Sequence, residues 1–505
     1  MNGMSDLLPL AIILCSAVAS VVIFFIRDEH PTLRLALYIG AEILKLILVL
    51  GMLFGVYLGV RYELRFPLLP EMDFVLQANP LSMLFLVLSA GLWLLTTLYS
   101  VGYLRGKPRQ SRFFGFFGLS VSATAGIALS GNLITLFIFY ELLTLATYPL
   151  VVHTRTAEAV AVGRRYLMYT LGGGVVLLAG IVALQVLAGE LRFAVGGAIP
   201  EALVEENPWA LRGIFFLLVA GFGVKTALVP LHSWLPQAMV APTPVSALLH
   251  GVAVVKAGAF GIVRVVYEVF GITEAIELGV TLPLAVAASF TIVYASTRAL
   301  TQDDLKRRLA FSTVSQVSYI VLGVSLAGFL GTVGGVSHLV HQGIMKVTLF
   351  FCAGILAETL GIHKVSEMRG VGRRLPWTMT AFAVASLGMI GLPPMAGFIS
   401  KWYLGLGAVE SGQYWAIAVL LTSTLLNAAY FLPILYNAFF AEPEPESQER
   451  WKERGGGRLE ADGLMLVSTI VVAAAVLAVG IFSGTEVSPL GWARFIAEGE
   501  WGYDG

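Results

Sequence analysis

The sequence predicts an all-α polytopic membrane protein, and three observations carry that reading. Of 505 residues 57% are hydrophobic and only 13% charged, with a mean hydropathy of +0.83, more apolar material than one soluble core holds. Apolar stretches of about 20 residues, the length that crosses the hydrocarbon of a bilayer, recur from end to end. The basic residues gather in alternate connections, as cytoplasmic loops require. The formal net charge is zero, without the basic footprint of phosphate binding, so no nucleic-acid partner is expected.

About fourteen helices are expected. The first, 7–26, lacks a basic leader and a small-residue cleavage signal and so reads as a retained span. With 35–60 and 80–100 it forms an N-terminal unit, 1–112. Helices at 113–130, 132–152, 165–188, 211–230 and 244–266 form a unit 113–270, and those at 276–297, 309–328, 332–358, 377–404 and 413–440 a unit 271–440. The remainder, 441–505, holds a polar linker with Pro443, Pro445 and the glycines 455–457, a fourteenth helix at 463–484, and a short aromatic and acidic tail. That tail reads as an outer-surface segment, a partner contact or a disordered end. The glycines 172–174 inside the sixth helix suit close helix packing better than a bend.

Charge sets the orientation. Odd-numbered helices are followed by Arg27 and Arg34; by Arg105, Lys107, Arg109 and Arg112; by Arg155, Arg164 and Arg165; and by Arg298, Lys306, Arg307 and Arg308. Lys364, Arg369, Arg373 and Arg374 follow the eleventh, and Arg450, Lys452, Arg454 and Arg458 the thirteenth. The opposite connections hold only Arg61, Arg65, Arg192, Arg212, Arg264 and Arg494. Both termini are therefore expected on the non-cytoplasmic side of a cell membrane.

The remaining basic residues, Lys45, Lys225, Lys256, Lys346 and Lys401, fall inside expected helices, and none is Arg. Guanidinium stays protonated under biological conditions, whereas a desolvated amine can release its proton. Lys225, Lys256 and Lys401 lie deep or beside helix breaks and are read as proton carriers. Lys45 fits a snorkelling role, and Lys346 is balanced between that role and the relay. Glu141, about ten residues into its helix, is the matching acid, with Lys225 its natural counter-charge; a structural ion pair is the alternative. His250 precedes Lys256 by six residues, while His338 and His341 sit one turn apart, spaced as possible relay links. His232, near a proline break, reads as a possible entrance.

Proline and glycine interrupt two helices beside these lysines. Pro230 and Pro236 follow Lys225, and Pro393 and Pro394 precede Lys401. Irregular backbone at membrane depth is tolerated only against protein or a watery cavity, and paired interruptions suggest inverted repeats, here the fourth to eighth and ninth to thirteenth helices, with the seventh and twelfth broken. Cys15 and Cys352 make no disulfide framework, redox site or metal cluster, and no cofactor is expected. Every aspartate lies in a loop or terminus, and no His-Glu-x-x-His helix is present, which argues against an intramembrane protease.

The runs 132–149 (NLITLFIFYELLTLATYP), 221–236 (GFGVKTALVPLHSWLP), 250–264 (HGVAVVKAGAFGIVR), 304–316 (DLKRRLAFSTVSQ) and 391–401 (GLPPMAGFISK) resemble the antiporter-like subunit superfamily of respiratory complex I, membrane-bound hydrogenases and Mrp-type sodium/proton antiporters. The runs 99–106 (YSVGYLRG) and 426–436 (LNAAYFLPILY), with Lys401, are most similar to the D-type subunit of Mrp antiporters. The resemblance implies a proton path of Glu141 paired with Lys225, a central Lys256 and a terminal Lys401. It implies a proton-translocating subunit of a multisubunit Na+/H+ antiporter, with other membrane subunits, protons and Na+ as partners in the lipid bilayer. The alternative is the same module in a redox-driven complex. Asn79 stands where the family often has an acid, which leaves an ion-binding role for that loop in doubt. After the fourteenth helix no long amphipathic extension follows, unlike the distal complex I subunit.

Overall fold

The computed structural model describes residues 6–70, 72–446, 448–449, 451 and 460–501. The glycines 455–457, the basic residues 450, 452, 454 and 458, and the tail beyond 501 lie outside the described residues. Helices α1 (Leu8–Phe24), α2 (Pro31–Tyr57), α3 (Pro80–Tyr103) and α4 (Gln110–Ala128) are followed by α5 (Leu133–Val151) and α6 (Ala157–Ala188). After a short α7 (Glu201–Glu206) come α8 (Pro208–Thr226), α9 (Trp234–Gln237), α10 (Thr243–Ala247), α11 (Val254–Arg264) and a short α12 (Ile272–Glu277). The chain continues through α13 (Thr281–Leu300), α14 (Leu305–Ser325), α15 (Phe329–Ile355), α16 (Pro376–Ile390), α17 (Ala396–Glu410), α18 (Trp415–Phe439), α19 (Gly463–Ile481) and α20 (Pro489–Glu500). Among the described residues, 10 helical stretches are long and apolar enough to cross a membrane.

Local chemistry starts these helices where the sequence offers caps. The side chains of Asn79, Asn132, Thr156 and Asp304 accept from the backbone N–H groups of Ser82, Thr135, Ala159 and Arg307, each satisfying one orphan donor of a first turn. Thr156 starts α6 eight residues before the apolar run alone suggests, because its polar first turns lie ahead of the membrane-like stretch. Glycine packing draws α6 inward: a Cβ on Gly173 would fall 2.7 Å from Val224 Cγ2, and one on Gly174 2.8 Å from Glu141 Cδ. The close packing expected of this glycine run is what the structure has, and α6 runs through it unbroken.

Three stretches differ from the sequence reading. Residues 61–79, expected as a connection, contain an antiparallel hairpin of β1 (Tyr62–Leu69) and β2 (Met72–Ala78), with Phe66 opposite Phe74. It seals the adjoining helix ends, Gln77 N donating to Leu129 O at 2.7 Å and Asn132 Nδ2 to Asp73 O at 2.9 Å. From Pro489 to Glu500 the tail is helical as α20: Trp492 Nε1 donates to Pro80 O at 2.8 Å, and Trp501 stacks on Tyr267 with centroids 4.1 Å apart. The expected single helix at 244–266 alternates between α10, a π-helical turn at Leu248–Val252, α11, and a second π-helical turn at Val265–Phe270.

Arg264, counted from sequence with the outer connections, is 1% exposed within α11. It pairs with Glu268 one turn on, and its Nη2 donates to Ser82 Oγ at 2.8 Å and Ala128 O at 3.0 Å. Asn79 Nδ2 donates to Glu268 Oε1 at 2.9 Å. Asn79 is thus a capping and bracing residue. Burial explains the difference: a basic residue near a predicted helix end looks like a loop residue until a partner one turn away draws it inside.

Residues 243–270 are enclosed throughout, whereas in α2, α6 and α18 only 33% of the most apolar window is buried. The outer helices present Phe54, Val186 and Leu425, a surface suited to lipid or neighbouring apolar helices. The enclosed interior belongs to α11, α14 and α15, the helices that carry the centre of a row of buried polar groups.

Candidate functional site

Lys225 stands at the end of α8, fully buried. Ala227 follows in a left-handed conformation, φ 63°, which stops the helix, and the freed Val224 carbonyl accepts from Trp234 Nε1 at 2.7 Å. Lys225 Nζ donates to the backbone carbonyl of Tyr140 and lies 3.3 Å from the Tyr140 ring centroid. Glu141 comes next on α5. Its carboxylate oxygens are buried and have no hydrogen-bond partner, although Lys225 is within electrostatic reach. The two expected partners are brought together as neighbours but do not form an ion pair in this conformation.

Lys256 is buried in α11, and its Nζ has no hydrogen-bond partner. Close packing puts α11 against α8: a Cβ on Gly258 would fall 2.7 Å from Phe222 O. His338 and His341 on α15 are both within electrostatic reach of Lys256. His338 bridges α17 and α14, with Nδ1 2.7 Å from Ser400 Oγ and Nε2 3.1 Å from Gln316 Oε1. Both ring nitrogens of His341 and of His250 lack partners. His250 rides on the π-helical turn, set off from α11 by Ala253 at φ −116°, ψ −75°, and packs its ring 4.7 Å from that of Phe350.

Lys401 follows Ser400 on α17. Its Nζ donates to the Met389 and Ile390 carbonyls, both at 2.9 Å, and lies 3.4 Å from Thr424 Oγ1. Those carbonyls end α16, where Gly391 at φ 96° turns the chain away, so the ammonium caps the negative end of a broken helix. The interruption expected beside Lys401 is present between Ile390 and Ala396.

Sequence reasoning left Lys346 undecided and out of the site, and the structure places it inside. It is fully buried, with Nζ donating to Ser312 Oγ at 2.7 Å and Leu309 O at 3.2 Å. Tyr430 Oη donates to Ser312 Oγ at 2.9 Å and also contacts Asn427 Oδ1. Asn427 Nδ2 donates to Met389 O at 3.2 Å, a carbonyl shared with Lys401. A polar chain therefore joins Lys346 to Lys401 beside the one through His338 and Ser400. The signal was in the sequence: His338, Gln342 and Lys346 recur every fourth residue on one face of α15.

His232 sits apart from this row, in the segment between α8 and α9, with its ring 5.2 Å from that of Tyr294 and its Nδ1 unpartnered. Among the described residues no group of three or more His, Cys, Asp and Glu is placed to hold a metal ion, and both cysteines are free. The site is a row of buried amines and imidazoles with hydroxyl and amide links, chemistry suited to carrying protons.

Comparison with known proteins agrees in kind. Residues 130–427 match the family described as NADH:quinone oxidoreductase/Mrp antiporter, TM, and residues 70–114 the NADH-ubiquinone oxidoreductase (complex I) chain 5 N-terminus. The chain is 36% identical over 428 residues to NADH-quinone oxidoreductase subunit N of Desulforudis audaxviator, covering 83% of this chain and 84% of that one. It is 31% identical over 438 residues to Na(+)/H(+) antiporter subunit A1 of Staphylococcus haemolyticus, covering 82% of this chain and 53% of the relative. The chain thus spans about half the length of the antiporter relatives it matches. Its fold is similar to a chain of the Mrp complex from Dietzia sp. DQ12-45-1b, with TM-score 0.86, 22% identity and coverage of 98% and 97%. It is also similar to a chain of respiratory complex I from Thermus thermophilus, with TM-score 0.78, 22% identity and coverage of 97% and 99%. The family match takes in α5 to about the middle of α18 and every lysine, histidine and glutamate of the polar row, and the chain belongs to the NADH:quinone oxidoreductase/Mrp antiporter family as an Mrp-type antiporter-like membrane subunit.

Proposed function

We propose that this chain is the proton-translocating subunit of a multisubunit Na+/H+ antiporter in the cell membrane, with both termini on the non-cytoplasmic side. One observation carries the reading: three buried lysines, Lys225, Lys256 and Lys346, and the half-buried Lys401 stand on helices of the membrane-like interior, with His250, His338 and His341 buried on the same or adjoining helices. Amines in such a place are costly unless they serve ion movement, and lysine, unlike arginine, can release its proton. The separated Lys225 and Glu141 supply a switch. Drawn together they favour both charged forms, and drawn apart they favour release of the lysine proton into the row. His232 serves as an entrance, and the units 113–270 and 271–440 act as inverted halves. Na+ is handled elsewhere in the assembly, in which the chain fills the place of the D-type component.

A second reading has its own support. The 36% identical relative named as subunit N of NADH-quinone oxidoreductase is matched over 84% of its length, against 53% for the antiporter subunit; in this reading electron transfer drives the same proton module. Purification from the native membrane in mild detergent, with every co-purifying subunit identified by mass and iron and flavin assayed, separates the two. Small hydrophobic partners without iron or flavin support the antiporter; stoichiometric iron-sulfur or flavin subunits overturn it in favour of the redox-driven pump.

A further inference from the structure

The polar row does not account for every buried ionisable group. Glu42 and Lys45 lie one turn apart on α2, 3% and 0% exposed, about 16 Å and 21 Å along the helix from its start. Sequence gives Lys45 a snorkelling role, yet its ammonium is enclosed, 3.4 Å from Ser16 Oγ on α1. The groups facing the pair are few. Cys15 on α1 is within electrostatic reach of both, with its Sγ donating to Ala41 O at 3.1 Å. Tyr38 lies one turn before Glu42 on α2 and accepts from Trp93 Nε1 of α3 at 3.2 Å. Thr97 of α3, beside Tyr38, contributes only a hydroxyl.

A cavity of about 180 Å³ opens beside this cluster at the start of α2, lined by Arg34, Leu35, Tyr38, Gln110 and Phe114. Tyr38, one turn before Glu42 on α2, is among its lining residues and within electrostatic reach of that carboxyl. Arg34 Nη2 donates to Gln110 Oε1 at 2.6 Å, so two of its lining side chains are joined by a polar bond in an otherwise mostly apolar lining.

We propose that Glu42 and Lys45 form a second proton-binding site, separate from the central row and filled through the Tyr38 cavity from the membrane face that carries residues 104–112. The Glu42 carboxylate takes a proton from hydronium in the cavity, giving the carboxylic acid and one water, while the Lys45 ammonium keeps its own proton.

Infrared difference spectra of the intact purified complex, stepped between about pH 5 and 8, test this without reference to transport. The expected result is a protonated-carboxyl band at low pH that is lost in Glu42→Gln, shifted in Glu42→Asp, and slower to appear after a pH jump in Leu35→Trp. A Glu42→Gln spectrum identical to wild type overturns the proposal. If that variant does not assemble, Glu42→Asp decides: a band unmoved by the shorter side chain overturns the proposal equally.

Discussion

Lys225 and Glu141 are neighbours without being partners: the ammonium donates to the Tyr140 carbonyl and rests on the Tyr140 ring, while both carboxylate oxygens stay buried and unbonded. An unpaired buried carboxylate is costly, and in the proposed switch this arrangement is the one with the two groups apart.

Glu141→Gln removes the charge but keeps the shape facing Gly174. Transport in native membrane vesicles is expected to fall about tenfold or more, the scale of a lost proton-transfer group, with a moved pH optimum. Unchanged rate and optimum would make Glu141 structural.

Lys401→Arg keeps a cation at the end of α16 but cannot release its proton. Transport should be lost while the complex still assembles. Full activity would mean that the two carbonyls of Met389 and Ile390 need only a charge.

Tyr430→Phe deletes the hydroxyl joining Ser312 to Asn427 and leaves the ring in place. If the Lys346 branch carries protons, loss of the hydroxyl's two hydrogen bonds, to Ser312 and Asn427, each worth about 1 kcal/mol, slows transport about tenfold or more. A wild-type rate would leave the route through His338 and Ser400 as the sole carrier.

Arg264→Met strands Glu268 as an unpaired buried charge, at a cost of about 3–5 kcal/mol. Poor assembly and a lowered melting temperature are expected, and Arg264→Met with Glu268→Gln should recover part of the loss. Normal stability of the single variant would contradict the bracing role.

Asp28, in the loop before α2, shows the opposite logic at the surface. Burial alone would raise its carboxyl, but the N–H groups of Ser111 and Arg109, both at 2.9 Å, and the Arg34 guanidinium at 3.2 Å hold it below the usual carboxylate value. A lowered folded-state value contributes stability above the unfolded value, about pH 3.9, and that contribution fades as pH falls through the folded one. The stability difference between wild type and Asp28→Asn, read by thermal unfolding, should therefore be present near neutral pH and shrink below about pH 4. A difference constant with pH would refute the carboxylate's part.

Much of this was legible in the sequence. The apolar lengths located most of the helices, and the prolines and glycines after Lys225 and before Lys401 located two breaks. The hairpin was missed although Tyr62, Leu64 and Phe66 alternate with Glu63 and Arg65, because a short strand signal is weak beside a long apolar helix. No sequence rule marked the π-helical turns around His250 and after Arg264: they arise from packing in the enclosed interior, where tertiary contacts override the local repeat. Lys45 misled for a related reason, since its burial depends on α1 and α3, which pack against α2, and not on its own helix. The position of Lys225 beside Tyr140 was equally unavailable, because it depends on how α5 and α8 meet.

The most direct test is Na+-driven proton movement in vesicles of the intact complex carrying Lys256→Met. Methionine fills nearly the same space in α11 but cannot titrate, so helix packing should survive. No proton movement with normal assembly is the predicted result, and movement at the wild-type rate would contradict a proton path through the row of buried lysines.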